Sequence, residues 1–393
     1  KKFGKNIQKL ASFTFLITRV LADSVRFAAI AIVIQSVTNW SIPLSILVVG
    51  IITLIYTVFG GLKTVIQIDA MQFFIYLISA FVCIIFLFQS LDVSPLVAIE
   101  SLINQNKFKM FDFQGNLFSK PFMFFSALLG GAMLSFSSHG ADYMMVQRVL
   151  ATKNVHSARK AMIGSGFFVF VQFLIFLFIG SLIYLATNGV VLEKDSEISY
   201  VIINFLPIGF KGIVVAGVLS VAMSTLSSSI NSLTSSTVND WFPAFKSLKT
   251  SRVIAIFWTI LLTCIALIFI NPKDALVIIG LKIASFTYGT LLSLFILSRI
   301  KGKLKNINLI IGYLFGIITV FYFMKFQVAW TFYILGSVSV NLIVVFLLEK
   351  FNRLLFIKDV ILVIFLFSIF PLLSFFNKED KIVHSKVISI ENK

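Results

Sequence analysis

Residues 64–90, TVIQIDAMQFFIYLISAFVCIIFLFQS, run for 27 positions with one formal charge, Asp69. A stretch of roughly 18 or more apolar residues is long enough to cross the hydrocarbon of a bilayer as a helix. Lipid offers the backbone no hydrogen-bond partner, so only helices and closed barrels span it. The run is too long for a barrel strand and does not alternate, which predicts a helix. Stretches of the same character recur, giving candidate spans at about 9–37, 41–60, 64–90, 121–147, 157–187, 211–241, 252–270, 275–298, 306–324, 328–348 and 357–376. The prediction is an all-α, polytopic membrane protein with about 11 transmembrane helices. Composition agrees: 59% of the 393 residues are hydrophobic and 12% are charged, against about 25% charged in a soluble domain.

The net charge of +17 raises the question of nucleic acid, and the positions of the charges answer it. Lys and Arg gather in alternate short loops: KKFGKNIQK at the start, Lys63, RVLATKNVHSARK, KSLKTSR, RIKGKLK and EKFNRLLFIK. That is the pattern of cytoplasmic loops in a cell-membrane protein, not a nucleic-acid footprint. It predicts a cytoplasmic N-terminus and, with an odd number of spans, an outer C-terminal tail. Cys83 and Cys264 both fall inside apolar runs and read as small core residues rather than a disulfide or metal pair. Three His and scattered carboxylates provide no acid–base pair or metal set, so the chain is not expected to be an enzyme.

Charge at membrane depth is costly unless paired or hydrated, so polar residues inside the spans are the candidates for function. They concentrate before residue 290; the helices after residue 300 carry few at mid-depth. In ITRVLADSVRF, Arg19, Asp23 and Arg26 share one helical face at i, i+4 and i+7. Asp23 can neutralise one Arg, which leaves roughly one positive charge. The face is either a docking site for an anionic substrate, with Arg19 and Arg26 as its contacts, or a structural ion-pair stack. Lys282 either meets an anion, pairs with Asp23, or snorkels outward. Asp69 is either a hydrated carboxylate near the interface or a cation ligand.

The segment AMSTLSSSINSLTSST, residues 222–237, carries hydroxyls at an unusual density. Ser224, Ser227 and Ser228 lie on one face at i, i+3 and i+4, flanked by Thr225 and Ser229. Small residues allow close helix packing, and Ala or Gly would serve that purpose as well. Hydroxyls offer neutral oxygen ligands in addition. A hard monovalent cation such as Na⁺ wants oxygens and at most about one carboxylate. A hydroxyl cluster plus one Asp is the chemistry of a Na⁺ site; a packing seam is the alternative. In LLGGAMLSFSSHGADYMMVQR, Gly130 and Gly131 permit close contact, and SSHGAD predicts a helix break of the kind transporters use at mid-membrane. His139 there is either a ligand or a satisfied interhelical donor.

Three segments carry a family resemblance. YTVFGGLKTVIQIDAMQFF is similar to a Gly-Gly-(Leu/Ile)-Lys-Ala-Val then Thr-Asp-Val-x-Gln-Phe junction. GADYMMVQRVLATKN is similar to Gly-x-(Asp/Asn)-Gln-x-x-(Val/Ile)-Gln-Arg-x-Leu-x-(Ala)-Lys. GIVVAGVLSVAMSTLSSSINSLTSSTVND resembles a Gly-rich, Ser-Ser-x-x-Ser-x-x-Asn-Ser signature. In this order they resemble the sodium/solute symporter family, which carries sugars, proline, iodide, vitamins and sialic acid, over most of residues 1–300. The resemblance implies a five-plus-five inverted-repeat core with extra C-terminal helices and Na⁺ as the coupling ion. Residues 1–91 would be core helices three to five of the first repeat, and 92–120 an extracellular connection. Residues 121–300 would be the second repeat and 301–393 the accessory helices and tail.

The resemblance also implies site residues. The conserved Na⁺ site falls on Ser224 and Thr225 with the backbone carbonyl near Val221. A second Na⁺ site, present in some members, falls on Asp69, Ser227 and Ser228, with Ser224 shared. Substrate contacts from the broken sixth core helix fall on Ser135, Ser138 and His139. The substrate-carboxylate Arg of the sialic acid carriers falls close to the face of Arg19 and Arg26, on neither exactly in register. The family's sugar carriers place a Lys where this chain is apolar, near Val169, which argues against a sugar. The first predicted span matches the third core helix, so the leading and first two core helices have no counterpart. An incomplete transporter that would not transport alone is the expectation.

The expected function is sodium-coupled symport of a small, anionic organic solute, a carboxylate for example, by alternating access. A channel or a membrane-embedded solute sensor built on the same helices is the alternative. A channel needs a continuous polar stripe, whereas the polarity here clusters at mid-depth; a sensor needs a signalling module.

Overall fold

The computed structural model describes residues 2–109, 111–270, 274–300 and 304–351, and for 61–63 and 351 the backbone alone. The predicted span 357–376, the C-terminal tail and the Lys63 side chain lie outside the described residues. The described chain is all-helical: α1 Gly4–Thr38, α2 Ile42–Ser90, α3 Pro95–Asn104, α4 Phe124–Gly140, α5 Tyr143–Leu150, α6 Val155–Ala186, α7 Glu197–Asn204, α8 Ile208–Ser236, α9 Leu248–Ala266, α10 Leu276–Arg299, α11 Asn306–Lys325 and α12 Tyr333–Phe351. Among the described residues nine segments are long and apolar enough to cross a membrane, and the protein is a multi-pass membrane protein. The two predicted spans 41–60 and 64–90 are one unbroken 49-residue helix, α2. At 1.5 Å per residue this is about 74 Å of helix, within which Ile42–Gly60 and Thr64–Ser90 are each long and apolar enough to cross a membrane.

The helix starts follow elementary capping. Ser41 accepts from the Leu44 amide, and Pro43 sits in the first turn of α2. Asn154 caps α6 and Ser247 caps α9 through their side-chain oxygens. Between α1 and α2 the chain turns on Asn39, whose φ of 58° is the left-handed conformation that Asn tolerates best after Gly. The break predicted at SSHGAD is present: α4 stops at Gly140, and α5 starts at Tyr143.

Two compact units, each discontinuous in sequence, make up the chain. One comprises Leu16–Lys109 and Val146–Ile283. Its centre is α2 against α8, where small residues set the separation. A Cβ on Gly217 would collide with the Ser79 side chain, and Ser79 Oγ donates to the Ile213 carbonyl at 2.9 Å. Around this seam Ala80, Cys83, Leu87, Ile179, Leu182 and Val201 form an apolar core. Cys83 is buried as expected, but Cys264 is exposed on α9 rather than packed in a core.

The other unit takes residues up to Phe15, those ending at Met145, and the described chain from Ala284 on. Gly312 and Gly316 of α11 face α12: a Cβ at these positions would lie 3.0 Å from the Asn341 carbonyl oxygen and 3.1 Å from that of Ser337. Gly289 of α10 is similarly closed by Ser337, and Gly130 of α4 by Thr331, whereas Gly131 faces open space. Polar residues after 300 are more numerous in the interior than the sequence suggested: Asn308, Thr319, Thr331, Ser337 and Asn341 are all buried. Their small size or fixed amide suits the close helix approach that the glycines permit. Tyr313 donates to Thr14 Oγ1 at 2.6 Å and ties α11 to the start of α1.

Gly312→Leu drives a branched side chain into this seam and is expected to cost about 1–3 kcal/mol. The readout is a lower midpoint of thermal unfolding in detergent. An unchanged midpoint would mean that α11 and α12 are not in contact there.

Candidate functional site

The hydroxyl row of α8 meets two carboxylates. The first is Asp69 of α2. Ser224 Oγ donates to Asp69 Oδ1 at 2.7 Å, and Ser228 Oγ donates to Oδ2 at 3.2 Å. Positions 224 and 228 are one helical turn apart, so both hydroxyls reach the same side of α8. Arg148, in the last turn of α5, places Nη2 2.5 Å from Asp69 Oδ2 and also donates to Ser228 Oγ. Asp69 lines a cavity of about 190 Å³ together with Gln72, Tyr76, Val221, Ser224 and Thr225. Gln72 is buried, and its Oε1 has no hydrogen-bond partner. Ser227 does not bond Asp69: its hydroxyl bonds back to the Ser224 carbonyl at 3.1 Å, as Ser does within a buried helix. Of the residues expected at the second Na⁺ site, the structure therefore brings Asp69, Ser224 and Ser228 together and leaves Ser227 outside.

The donor set consists of oxygens: one carboxylate, the hydroxyls of Ser224, Ser228 and Thr225, and one amide carbonyl. Among the described residues no group of three His, Cys, Asp or Glu is arranged to hold a metal. Neutral oxygens with a single negative charge fit a hard, singly charged cation, not a transition metal.

The second carboxylate is Asp23 of α1, fully buried. Arg19 Nε lies 3.2 Å from Asp23 Oδ2 and Arg26 Nη1 2.8 Å from Oδ1, and Ser229 of α8 donates to the same acid. Both arginines thus hold Asp23, and Lys282 does not. Arg19 is buried, whereas Arg26 keeps 46% of its side chain exposed. Lys282 instead reaches out to Asp274 at 2.6 Å, and that hydrogen bond and charge hold the Asp274 carboxyl below its ordinary value. Of the readings open for Lys282, the structure has the outward one.

Arg26 begins a stripe along α1. One turn further on, Ala29 and Ile30, then Val33, line a second cavity of about 770 Å³, mostly apolar, which shares Tyr76 and Val221 with the smaller one. Asp195 and Glu197 are the acidic residues on its wall, and Asp195 accepts from the Leu276 amide at 3.1 Å.

In the other unit, Ser135, Ser138 and His139 form a cluster at the end of α4. Ser138 Oγ donates to the Ser135 carbonyl at 3.1 Å, and His139 Nδ1 lies 3.0 Å from Ser138 Oγ and 2.9 Å from the Ser135 carbonyl. At the break itself Asp142 accepts from the Met144 amide at 2.9 Å and from the Tyr288 hydroxyl. A carboxylate accepting backbone N–H at the start of α5 is the ordinary way to stabilise a restarted helix.

Arg148, Gln72, Ser229 and the Asp142–Tyr288 pair are not marked as site residues by the sequence. Gln72 had a signal: it stands three residues from Asp69 on the same face of α2. Arg148 had only its place beside the predicted break, and no local pattern links it to Asp69, 79 positions away.

Comparison with known proteins places these residues in context. The model of the sodium:solute symporter family matches residues 1–316. The sodium-dependent multivitamin transporter of Oryctolagus cuniculus is 28% identical over 346 residues, 82% of this chain and 52% of that protein. Sodium-coupled monocarboxylate transporter 1 of Mus musculus is 24% identical, with 80% of this chain and 54% of that protein covered. A solved structure of a Na⁺-coupled sialic acid symporter, in a substrate-bound outward-open state, aligns with a TM-score of 0.75 at 18% identity, covering 87% of this chain and 74% of that one. The fold is therefore that of this transporter structure. The chain spans about half the length of the curated relatives it matches.

Asp23→Ala leaves Arg19 buried without its carboxylate, and a broken buried pair costs about 3–5 kcal/mol. The expected outcome is loss of monodisperse protein on size-exclusion chromatography, with Ser229→Ala, which removes one donor, remaining folded. Equal yields for wild type and Asp23→Ala would show the cluster to be dispensable.

Proposed function

The chain belongs to the sodium:solute symporter family, and on that premise we propose that it takes part in sodium-coupled symport of a small organic anion across the cell membrane, with its N-terminus in the cytoplasm. The observation that carries the sodium part is Asp69 held between the Ser224 and Ser228 hydroxyls on the wall of a cavity that Thr225 and Val221 also line. Asp69 supplies the one negative charge and the hydroxyls the neutral oxygens. The backbone carbonyl of Val221 and Thr225 Oγ1 serve the neighbouring conserved position.

The solute is argued from the α1 stripe. Arg26 is half-exposed and shares Asp23 with Arg19. The apolar cavity one turn away falls inside the 300–1,000 Å³ range of small-molecule sites. A carboxylate at Arg26 with its carbon body along Ile30 and Val33 satisfies both. Sodium and solute each favour the state in which the other's site is formed, which is what couples them. Each Na⁺ entering down about 100 mV contributes roughly 2.3 kcal/mol to solute accumulation.

The experiment is a thermal-shift screen of the full chain in lipid nanodiscs against carboxylates, amino acids, sugars and inorganic anions, in NaCl and in choline chloride. Stabilisation by NaCl that Asp69→Asn removes, and a further carboxylate shift that Arg26→Gln removes, are the expected results. Stabilisation by neutral solutes alone would overturn the anion reading. A NaCl effect untouched by Asp69→Asn would overturn the sodium site.

A further inference from the structure

We propose that Arg148 is a tethered cation competing with sodium for Asp69, so that sodium enters this site by exchange with a guanidinium rather than by addition. The proposal rests on the sodium reading of Asp69. Its first ground is charge. Asp69 is the charged residue on the wall of the cavity, and Arg148 already balances it through the 2.5 Å Nη2–Oδ2 contact. Adding Na⁺ while Arg148 stays would place two cations against one carboxylate in a medium of low dielectric, where unbalanced charge is expensive. One carboxylate holds one of the two.

The second ground is steric. Arg148 Nη2 touches both Asp69 Oδ2 and Ser228 Oγ. A hard cation of calcium's radius sits about 2.3–2.6 Å from its oxygens, so an ion bound to that pair of oxygens and Nη2 would claim the same space.

The third ground is that the guanidinium holds the site loosely. Arg148 meets Asp69 through one nitrogen, Nη2, not the two-pronged fork that makes Arg–carboxylate pairs strong. About a third of the Arg148 side chain is exposed, so water receives it when it leaves. It also leaves an acceptor unused. Gln72 lines the same cavity, and its Oε1 is buried without a partner. A site in which the resident cation satisfies only part of the oxygens has donors left over for a different one.

Exchange makes sodium binding visible to α5. Arg148 is in the last turn of this eight-residue helix, and its bonds to α2 and α8 are long-range in sequence. When Na⁺ takes Asp69, those bonds are released and α5 loosens. Arg148 is in this sense a specificity and coupling residue, not merely a fastener. A fastener would stabilise the same oxygens that sodium uses, and its removal would weaken the site.

The test uses the full chain in nanodiscs and two readouts, ²²Na⁺ binding and amide hydrogen exchange over residues 143–150, with choline holding ionic strength constant. Arg148→Gln is expected to lower the half-saturating sodium concentration at least tenfold, and Arg148→Lys, which keeps the charge, to change it less than threefold. In the wild type, saturating Na⁺ is expected to increase exchange in 143–150. If Arg148→Gln leaves half-saturation unchanged or raises it while Asp69→Asn still abolishes binding, the exchange proposal is overturned and the sodium site stands. If Asp69→Asn leaves binding intact, the sodium site falls and the proposal with it. Should Arg148→Gln fail to fold, the wild-type exchange measurement decides alone: unchanged or slower exchange in 143–150 overturns the proposal.

Discussion

A carboxylate surrounded by hydrocarbon must find its hydrogen bonds and its counter-charge within the protein, and this requirement organises the larger of the two units. Asp69 on α2 and Asp23 on α1 are each met by hydroxyls of α8 and by arginine. Take away α8 and both acids lose donors; take away either acid and a buried or half-buried cation loses its partner. The apolar core around Leu87 and Leu182 supplies packing, but it does not choose which face of α8 points inward. The acids do.

Small residues make that arrangement reachable. Gly217 lets α2 and α8 approach until Ser79 can bond the Ile213 carbonyl, and this closeness brings hydroxyls as short as serine's within reach of Asp69. Longer side chains at 224 or 228 would either overfill the seam or point past the acid. The serine density in AMSTLSSSINSLTSST is therefore both a packing choice and a chemical one, and the two readings of the segment are not exclusive. Ser224 and Ser228 face Asp69, Ser229 faces Asp23, and Ser227 and Ser232 satisfy themselves on their own backbone.

Helix content, the long apolar runs and the break after Gly140 are legible in the sequence because each depends on a local property: hydropathy, or a cluster of small residues and an Asp. The continuity of α2 through Gly60 is not, since a glycine pair followed by Lys63 reads as a loop in the sequence. The Asp69–Ser224 pairing was legible in chemistry, as an acid and a hydroxyl row in search of a cation. Arg148 was not, because its meaning depends on a partner 79 positions away. Lys282 shows the converse: an intramembrane lysine attracts a functional reading, yet Asp274 at the helix entrance takes it at the surface. The buried Asn341 was hidden for a similar reason, standing opposite a glycine that only the fold identifies.

Ser228 and Ser229 are consecutive, and one residue advances an α-helix by about 100° of azimuth. Asp69 and Asp23 therefore grip α8 from two directions roughly at right angles. A rod clasped on two flanks cannot roll about its own axis without stripping both clasps together. The two arginine-bearing clusters thus constrain the same rotation of one helix.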